Sequence, residues 1–165
     1  MTSHKATDLL LDLHALPRHP GEMISRHLEV PAPADIGVSM IGVPEASPIV
    51  LDLTCQSAGD GVLVQGSATV ELAGQCGRCL EDFRHEDRFA LQELYFYPGK
   101  GPQDDESADD ALFVVDNIID LEPVLRAAIV LNLPFNPLCR EDCAGLCQTC
   151  GADLNQQPEH RHDSL

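Results

Sequence analysis

The chain has 165 residues, 44% of them hydrophobic, which suffices for one domain with a sizeable core. Its 27 acidic residues against 10 Lys and Arg give a formal net charge of −17. Phosphate backbones and anionic lipid repel such a chain, so the composition disfavours direct contact with nucleic acid or membrane and favours a basic protein partner.

The first hundred residues predict mainly β-strands. Leu9, Leu11 and Leu13 recur at every second position, which predicts a short strand. Prolines and glycines between positions 17 and 48 then divide the next region into short pieces.

The clearest pattern is that of an antiparallel hairpin. Residues 49–56 alternate and place Cys55 on an apolar face with two leucines, so Cys55 is interpreted as a core thiol. A Gly-Asp-Gly turn follows, and residues 62–72 then show the cleanest alternation of apolar and polar side chains in the chain.

A second long strand is predicted over residues 83–97, followed by a strongly acidic segment. Between Gly101 and Glu122 the chain has eight carboxylates and no Lys or Arg. We therefore predict an acidic flexible loop at residues 100–111. The apolar run 112–115 predicts a short strand after it.

One helix is predicted between Asp120, which can cap it, and Pro134, which ends it. Its apolar face, which predicts packing on a sheet, comprises Leu121, Val124, Leu125 and Ala128, widened by Ile129 and Leu131. The predicted fold is α+β: mainly an antiparallel β-sheet or partly open barrel, one C-terminal packing helix, and a cysteine-rich zinc-binding tail. Residues 1–134 would form the β domain with its helix, and residues 135–165 the tail.

Four thiols lie within twelve residues of the tail, at Cys139, Cys143, Cys147 and Cys150. Sets of four soft thiolates are the usual tetrahedral donors of structural zinc. Four thiolates leave no coordination position for a catalytic water, and the sequence has no GxSxG or HExxH motif. We therefore expect a structural zinc ion, no enzymatic activity and no small-molecule substrate.

The chain has a second pair of thiols, Cys76 and Cys79, so the sequence does not decide which cysteines would bind the metal. These thiols could join Cys147 and Cys150 in a two-knuckle zinc ribbon, or serve a second site. The compact tail site is favoured over the ribbon, because its ligands need no long-range loop closure.

The seven cysteines occur without a signal peptide, because residues 1–7 are polar and the apolar run 9–11 is too short for one. No stretch approaches the roughly 20 apolar residues of a membrane span. Clustered thiols in a reducing cytosol bind metal more often than they form disulfides. The expected location is the cytoplasm.

Four segments follow one another in an order typical of one family: Cys76-Gly-Arg-Cys79-Leu80-Glu81, Glu93-Leu94-Tyr95, Leu133-Pro134, and the tail Cys139-x3-Cys143-x-Gly145-Leu146-Cys147-x2-Cys150-Gly151-x2-Leu154-Asn155. With them the chain resembles the bacterial YceD family, the large ribosomal RNA subunit accumulation proteins. Pro20-Gly21-Glu22 and Leu51-Asp52-Leu53 are similar to the form found in high-GC Gram-positive bacteria.

The resemblance implies a non-enzymatic factor in the accumulation or processing of large-subunit ribosomal RNA. We expect an adaptor in ribosome assembly whose acidic loop, Asp104 to Asp110, binds a basic ribosomal or RNA-processing protein, with ribosomal RNA contacted indirectly. One alternative is direct single-stranded RNA binding by the zinc tail or by Arg78, Arg84 and Arg88. Another is a thiol-based, redox-responsive zinc switch.

Overall fold

The computed structural model of the chain describes residues 7–102 and 111–160. These residues form nine strands, one α-helix and a short 3-10 helix at Thr7–Leu9. The elements are β1 Leu10–Asp12, β2 Met23–Pro31, β3 Ile36–Val38, β4 Ile41–Val43, β5 Pro48–Ser57, β6 Gly61–Gln75, β7 Asp82–Phe96, β8 Leu112–Phe113, β9 Ile118–Asp120 and α1 Glu122–Val130. Most of the predicted acidic loop, residues 103–110, lies outside the described residues.

The main sheet has seven strands, and all of its pairs are antiparallel except β7 with β8. Its central strand, β6, pairs with β5 and then β4 on one side, and with β7 over its whole length on the other. Within the described ranges the sheet does not close into a barrel. Strands β1 and β9 form a separate antiparallel pair.

One hydrophobic core joins the main sheet to α1 and to the β1–β9 pair. Alternate residues of β5, from Ile49 to Cys55, point into it and are buried. Burial raises the pKa of Cys55 to about 11, which keeps this thiol protonated and unreactive. The Tyr95 hydroxyl donates a hydrogen bond of 2.7 Å to the Asp120 carbonyl and so links β7 to β9.

The predicted antiparallel sheet with one packing helix is confirmed, as are the hairpin (β5 and β6), the long strand β7 and the core position of Cys55. Two strands were missed. β2 lies in the region expected to form only short pieces, and β9 lies between the apolar run 112–115 and the helix, where no strand was predicted. The burial of β2 alternates, with Ile24, Leu28 and Val30 on its more buried face, so the period-2 pattern is present in the sequence and only Arg26 interrupts it.

The helix is confirmed, but its end is not where Pro134 predicted it. α1 stops at Val130, and Leu131 is 81% exposed, so the expectation that Leu131 widens the buried face was wrong. At the other end, the N-cap residue is Leu121 and not the predicted Asp120, although the Asp120 side chain accepts a hydrogen bond of 2.9 Å from the Glu122 amide.

In the part of the chain that the structure describes, no helix combines the length and apolar character that a transmembrane segment requires.

We expect Leu125→Ala to lower the free energy of unfolding by about 2–5 kcal/mol, because it leaves a cavity where a fully buried side chain joins the helix to the core. Leu131→Ala removes the same atoms from an exposed site beside it, and should change stability by no more than about 0.5 kcal/mol. The midpoints of urea unfolding curves measure the change in each variant, provided that the dependence of the unfolding free energy on urea concentration stays the same. Equal losses in the two variants would contradict the described packing of α1.

Candidate metal centre

The turn between β6 and β7 holds the first pair of thiols in a tight knuckle. The Cys76 amide donates to the Glu81 carbonyl at 2.9 Å, and the Leu80 amide donates back to the Cys76 carbonyl at 3.0 Å. The Arg78 amide lies 3.4 Å from the Cys76 sulfur, and the Cys79 amide also hydrogen-bonds to that sulfur. A loop of this shape directs backbone N–H groups toward a thiolate, which is a common arrangement around bound metal.

The segment after α1 docks on this knuckle through backbone contacts. The Gly77 amide donates to the Pro137 carbonyl at 2.7 Å, and the Arg78 guanidinium donates to the Cys143 carbonyl at 2.9 Å. A side chain at position 77 would collide with Asn136, because an added Cβ would lie 1.8 Å from its Oδ1. Glycine at 77 therefore permits the close approach that the second pair of thiols needs.

Docking brings four sulfur atoms together. Cys76 Sγ lies 3.6 Å from Cys143 Sγ, and Cys79 Sγ lies 3.7 Å from Cys139 Sγ. All four sulfurs lie within 4.8 Å of one another. An S–S bond measures about 2.05 Å, whereas thiolates around a tetrahedral ion with metal–sulfur bonds of about 2.3 Å are separated by about 3.8 Å. The four thiols, here called the inner cluster, have the spacing of metal ligands and could hold a metal ion.

The ionisation of the inner cluster supports this interpretation. Burial raises the pKa of Cys76, but backbone N–H groups of Cys79, Cys139 and Arg78 outweigh it and bring the value down to about 6. Burial and the neighbouring thiols raise the pKa of Cys139 to about 12. The sulfurs are so close that four thiolates would repel one another, and a divalent cation among them would remove that repulsion.

Asn155 supports the inner cluster from outside. Its Nδ2 donates to Cys143 Sγ at 3.2 Å, while its Oδ1 accepts from the Ala144 amide at 2.8 Å and from the Arg140 guanidinium at 2.7 Å. The side chain thus orients one sulfur and holds the segment that carries it. Hydrogen bonds of this kind tune the affinity of a ligand set for its metal.

A second group lies further along the tail. Cys147, Cys150 and His160 place their ligand atoms within 4.8 Å of one another, with His160 Nε2 3.3 Å from Cys150 Sγ. Backbone N–H groups of Cys150 and Thr149 lower the pKa of Cys147 to about 6. This group, here called the outer cluster, could also hold a metal ion.

The structure groups the thiols differently from both ligand sets weighed from sequence. The compact tail set is divided, with Cys139 and Cys143 in the inner cluster and Cys147 and Cys150 in the outer cluster. The ribbon set is divided too, because its first pair meets Cys139 and Cys143 instead. The compact tail set was preferred because a short loop costs little entropy to close. That argument left out the sheet, which already fixes the position of the β6–β7 turn on which the tail docks. Which residues bind metal stays a prediction.

His160 was not predicted to be a metal ligand. Its position ten residues after Cys150 is a weak sequence signal, and only the folded tail brings the two side chains together. The division into a domain of residues 1–134 and a tail of residues 135–165 stays a prediction.

Comparisons with known proteins agree with the motif pattern. A family model described as "Large ribosomal RNA subunit accumulation protein YceD" matches residues 64–165. An uncharacterized protein of Mycobacterium tuberculosis is 40% identical over 162 residues, covering 98% of this chain and 78% of that protein. An uncharacterized protein of Mycobacterium leprae is 36% identical over 98% of this chain and 75% of its own length.

A more distant relative has a descriptive name. The Zea mays protein "Large ribosomal RNA subunit accumulation protein YCED homolog 1, chloroplastic" is 39% identical over 56 residues, which are 33% of this chain and 19% of that protein. No solved structure is significantly similar to the chain.

We expect Asn155→Asp to weaken divalent metal binding at the inner cluster by about 10- to 100-fold. The carboxylate keeps the two acceptor contacts of Oδ1 but places a negative charge, in place of an N–H donor, beside the Cys143 sulfur. Competition with a chromophoric chelator measures the change. Asn132→Asp is the control, since it adds the same charge just after α1, where the side-chain amide donates to the Ala128 carbonyl. Equal affinities in both variants would refute the role of Asn155.

Proposed function

The chain belongs to the YceD family, and on that basis we propose that it is a non-enzymatic accessory factor in the accumulation of large-subunit ribosomal RNA. The observation that carries the proposal is the match between residues 64–165 and the family model of that name. The same words occur in the name of the Zea mays relative. The protein would act in the cytoplasm, where bacterial ribosomes assemble.

The cofactor in this proposal is a structural zinc ion in the inner cluster. Thiolate sulfur is a common donor for zinc, and the distances between these four sulfurs suit a tetrahedral ion. Four such ligands would leave no coordination position for water or substrate. The ion would connect the β6–β7 turn to the segment after α1. Cys76 and Cys143, which belong to these two parts, are 67 residues apart in sequence. Its role would be architectural, because ligands that meet only in the folded chain convert metal-binding free energy into folding free energy.

A basic protein is the partner best suited to this molecule. The net charge of −17 attracts basic surfaces and repels the RNA backbone. Two of the three arginines considered for RNA contact have partners within the chain, since Arg78 donates to the Cys143 carbonyl and Arg84 pairs with Glu71 at 2.6 Å. These contacts favour indirect action on ribosomal RNA, with the acidic segment Asp104 to Asp110 as the proposed docking element.

We expect cells that lack the protein to contain less mature large-subunit ribosomal RNA relative to small-subunit RNA. The wild-type gene should restore the ratio, and a gene with both Cys76→Ser and Cys139→Ser should not, because the tail loses its metal. Cys55→Ala is the control, since it removes a buried thiol outside the inner cluster. Gel quantification of both RNAs measures the outcome, and an unchanged ratio in cells without the protein would refute the proposed function.

We expect reversal of four loop charges, Asp104, Asp105, Asp109 and Asp110 to Lys, to abolish capture of basic ribosomal proteins at moderate salt. The matched control changes four exposed carboxylates elsewhere to Lys and alters the net charge equally: Glu22, Glu29, Asp60 and Glu86. Pull-down at graded salt compares the two variants. If both bind like the wild type, the acidic docking element is wrong. If both lose binding equally, overall charge and not the loop attracts the partner.

A further inference from the structure

A groove lies between α1 and β7. Its helical wall is a ridge of exposed side chains at every fourth position, namely Pro123, Ala127 and Leu131. The ridge continues past the last residue of α1, because the Leu131 amide donates to the Ala127 carbonyl at 3.1 Å. Leu131 is 81% exposed and presents a large apolar side chain at the end of this wall.

The opposite wall of the groove belongs to the sheet. Ala90 and Gln92 of β7 line it, and Leu112 of β8 adds a half-buried apolar side chain. Leu112 pairs with Tyr95, further along β7, and so stands at one end of the groove. The space between the walls measures about 450 Å³, which lies within the range of protein ligand sites, about 300–1,000 Å³.

The charge beside this apolar groove is negative. Among the lining residues that the structure describes, the charged one is the exposed Glu93. The basic residue of α1, Arg126, is turned toward the loop before β3, where its guanidinium donates to the Asp35 carbonyl at 2.7 Å. In sequence, the acidic segment Asp104 to Asp110 ends two residues before Leu112. A ligand of the groove that carries positive charge is therefore favoured.

We propose that this groove binds a basic segment of the partner protein by taking up its apolar side chains, while lysines or arginines of the same segment contact Glu93 and the acidic segment. The inference rests on the proposed function, which assigns a basic protein as the partner. A contiguous exposed apolar surface is typical of an interaction site. A second copy of the chain is a poor occupant, because both copies carry a net charge of −17 and repel each other.

The groove gives the interaction a selectivity that charge alone does not provide. Attraction between an acidic segment and basic proteins acts at long range, weakens with salt and accepts many sequences. Insertion of apolar side chains between Leu131 and Leu112 acts only at contact and persists at raised salt. The partner is thus selected among basic proteins by the apolar residues that accompany its positive charges.

Peptide binding to the purified full chain tests the groove. The probe has five lysines, with tryptophan at its third and fifth positions, and the control peptide has serine at both. The chain contains no tryptophan, so the fluorescence reports on the peptide. At raised salt we expect a blue shift of the emission and, by calorimetry, an affinity about tenfold above that of the serine peptide. Equal affinities of the two peptides would overturn the proposal.

A matched pair of variants locates the binding site. Leu131→Ser removes an apolar side chain from the groove and should weaken binding of the tryptophan peptide by about fivefold to tenfold, with no change for the serine peptide. Met23→Ser is the control, since it removes an exposed apolar side chain from β2, at the far edge of the sheet, and should bind like the wild type. Unchanged binding by Leu131→Ser, or equal losses in both variants, would refute binding in the groove.

Two results would assign the groove to a different occupant and overturn the proposal. Dimers in sedimentation that Leu131→Ser abolishes would assign it to a second copy. Peptide binding that appears only when a Gly-Ser linker replaces residues 103–110 would assign it to this chain's own segment. If the peptide does not bind while cells without the protein lose large-subunit RNA, the groove proposal is wrong and the proposed function stands. An unchanged RNA ratio would contradict that function whatever the peptide result.

Discussion

The architecture of the C-terminal part depends on the close approach of four sulfur atoms between the β6–β7 turn and the segment after α1. Cys76 and Cys143 approach to 3.6 Å across 67 residues of sequence, and Cys79 and Cys139 to 3.7 Å across 60. Ionised thiols at these distances repel one another, and a cation among them could remove that repulsion. No residue of the described tail, 135–160, belongs to the main core, and Leu138 and Leu146 pack against the inner cluster instead.

The sheet provides the fixed half of this arrangement. β6 and β7 pair from Gly61 with Phe96 to Gln75 with Asp82, so the turn that carries Cys76 and Cys79 projects from the longest hairpin of the fold. A turn held in this way loses little further freedom when the tail docks, and much of the ordering cost falls on the tail. A metal-bound tail would thus be a defined surface on a rigid support, which suits a protein that acts by being recognised.

The two cysteine groups divide the tail by exposure. The inner cluster has four thiols, three of them buried and one half-buried, whereas the outer cluster combines two thiols and an imidazole that are half-buried or exposed. A buried set of four thiolates would retain a bound ion, whereas a more exposed set would exchange it more readily. The inner cluster is then suited to a permanent structural role, and the outer cluster to binding a partner or responding to changing conditions.

Local pattern by itself determined the hairpin of β5 and β6, the strand β7, the helix and the core position of Cys55, because alternation and apolar periodicity directly reflect burial. Only the tertiary structure decided which thiols meet. The spacing from Cys139 to Cys150 favours a compact site. In the structure, however, the hydrogen bond between Gly77 and Pro137 docks the tail on the β6–β7 turn and brings Cys139 and Cys143 to it. Cys147 and Cys150 lie beside His160 instead. Metal ligands are selected by distance in space, and the pairing of distant segments is a property of the whole sheet that no local pattern contains.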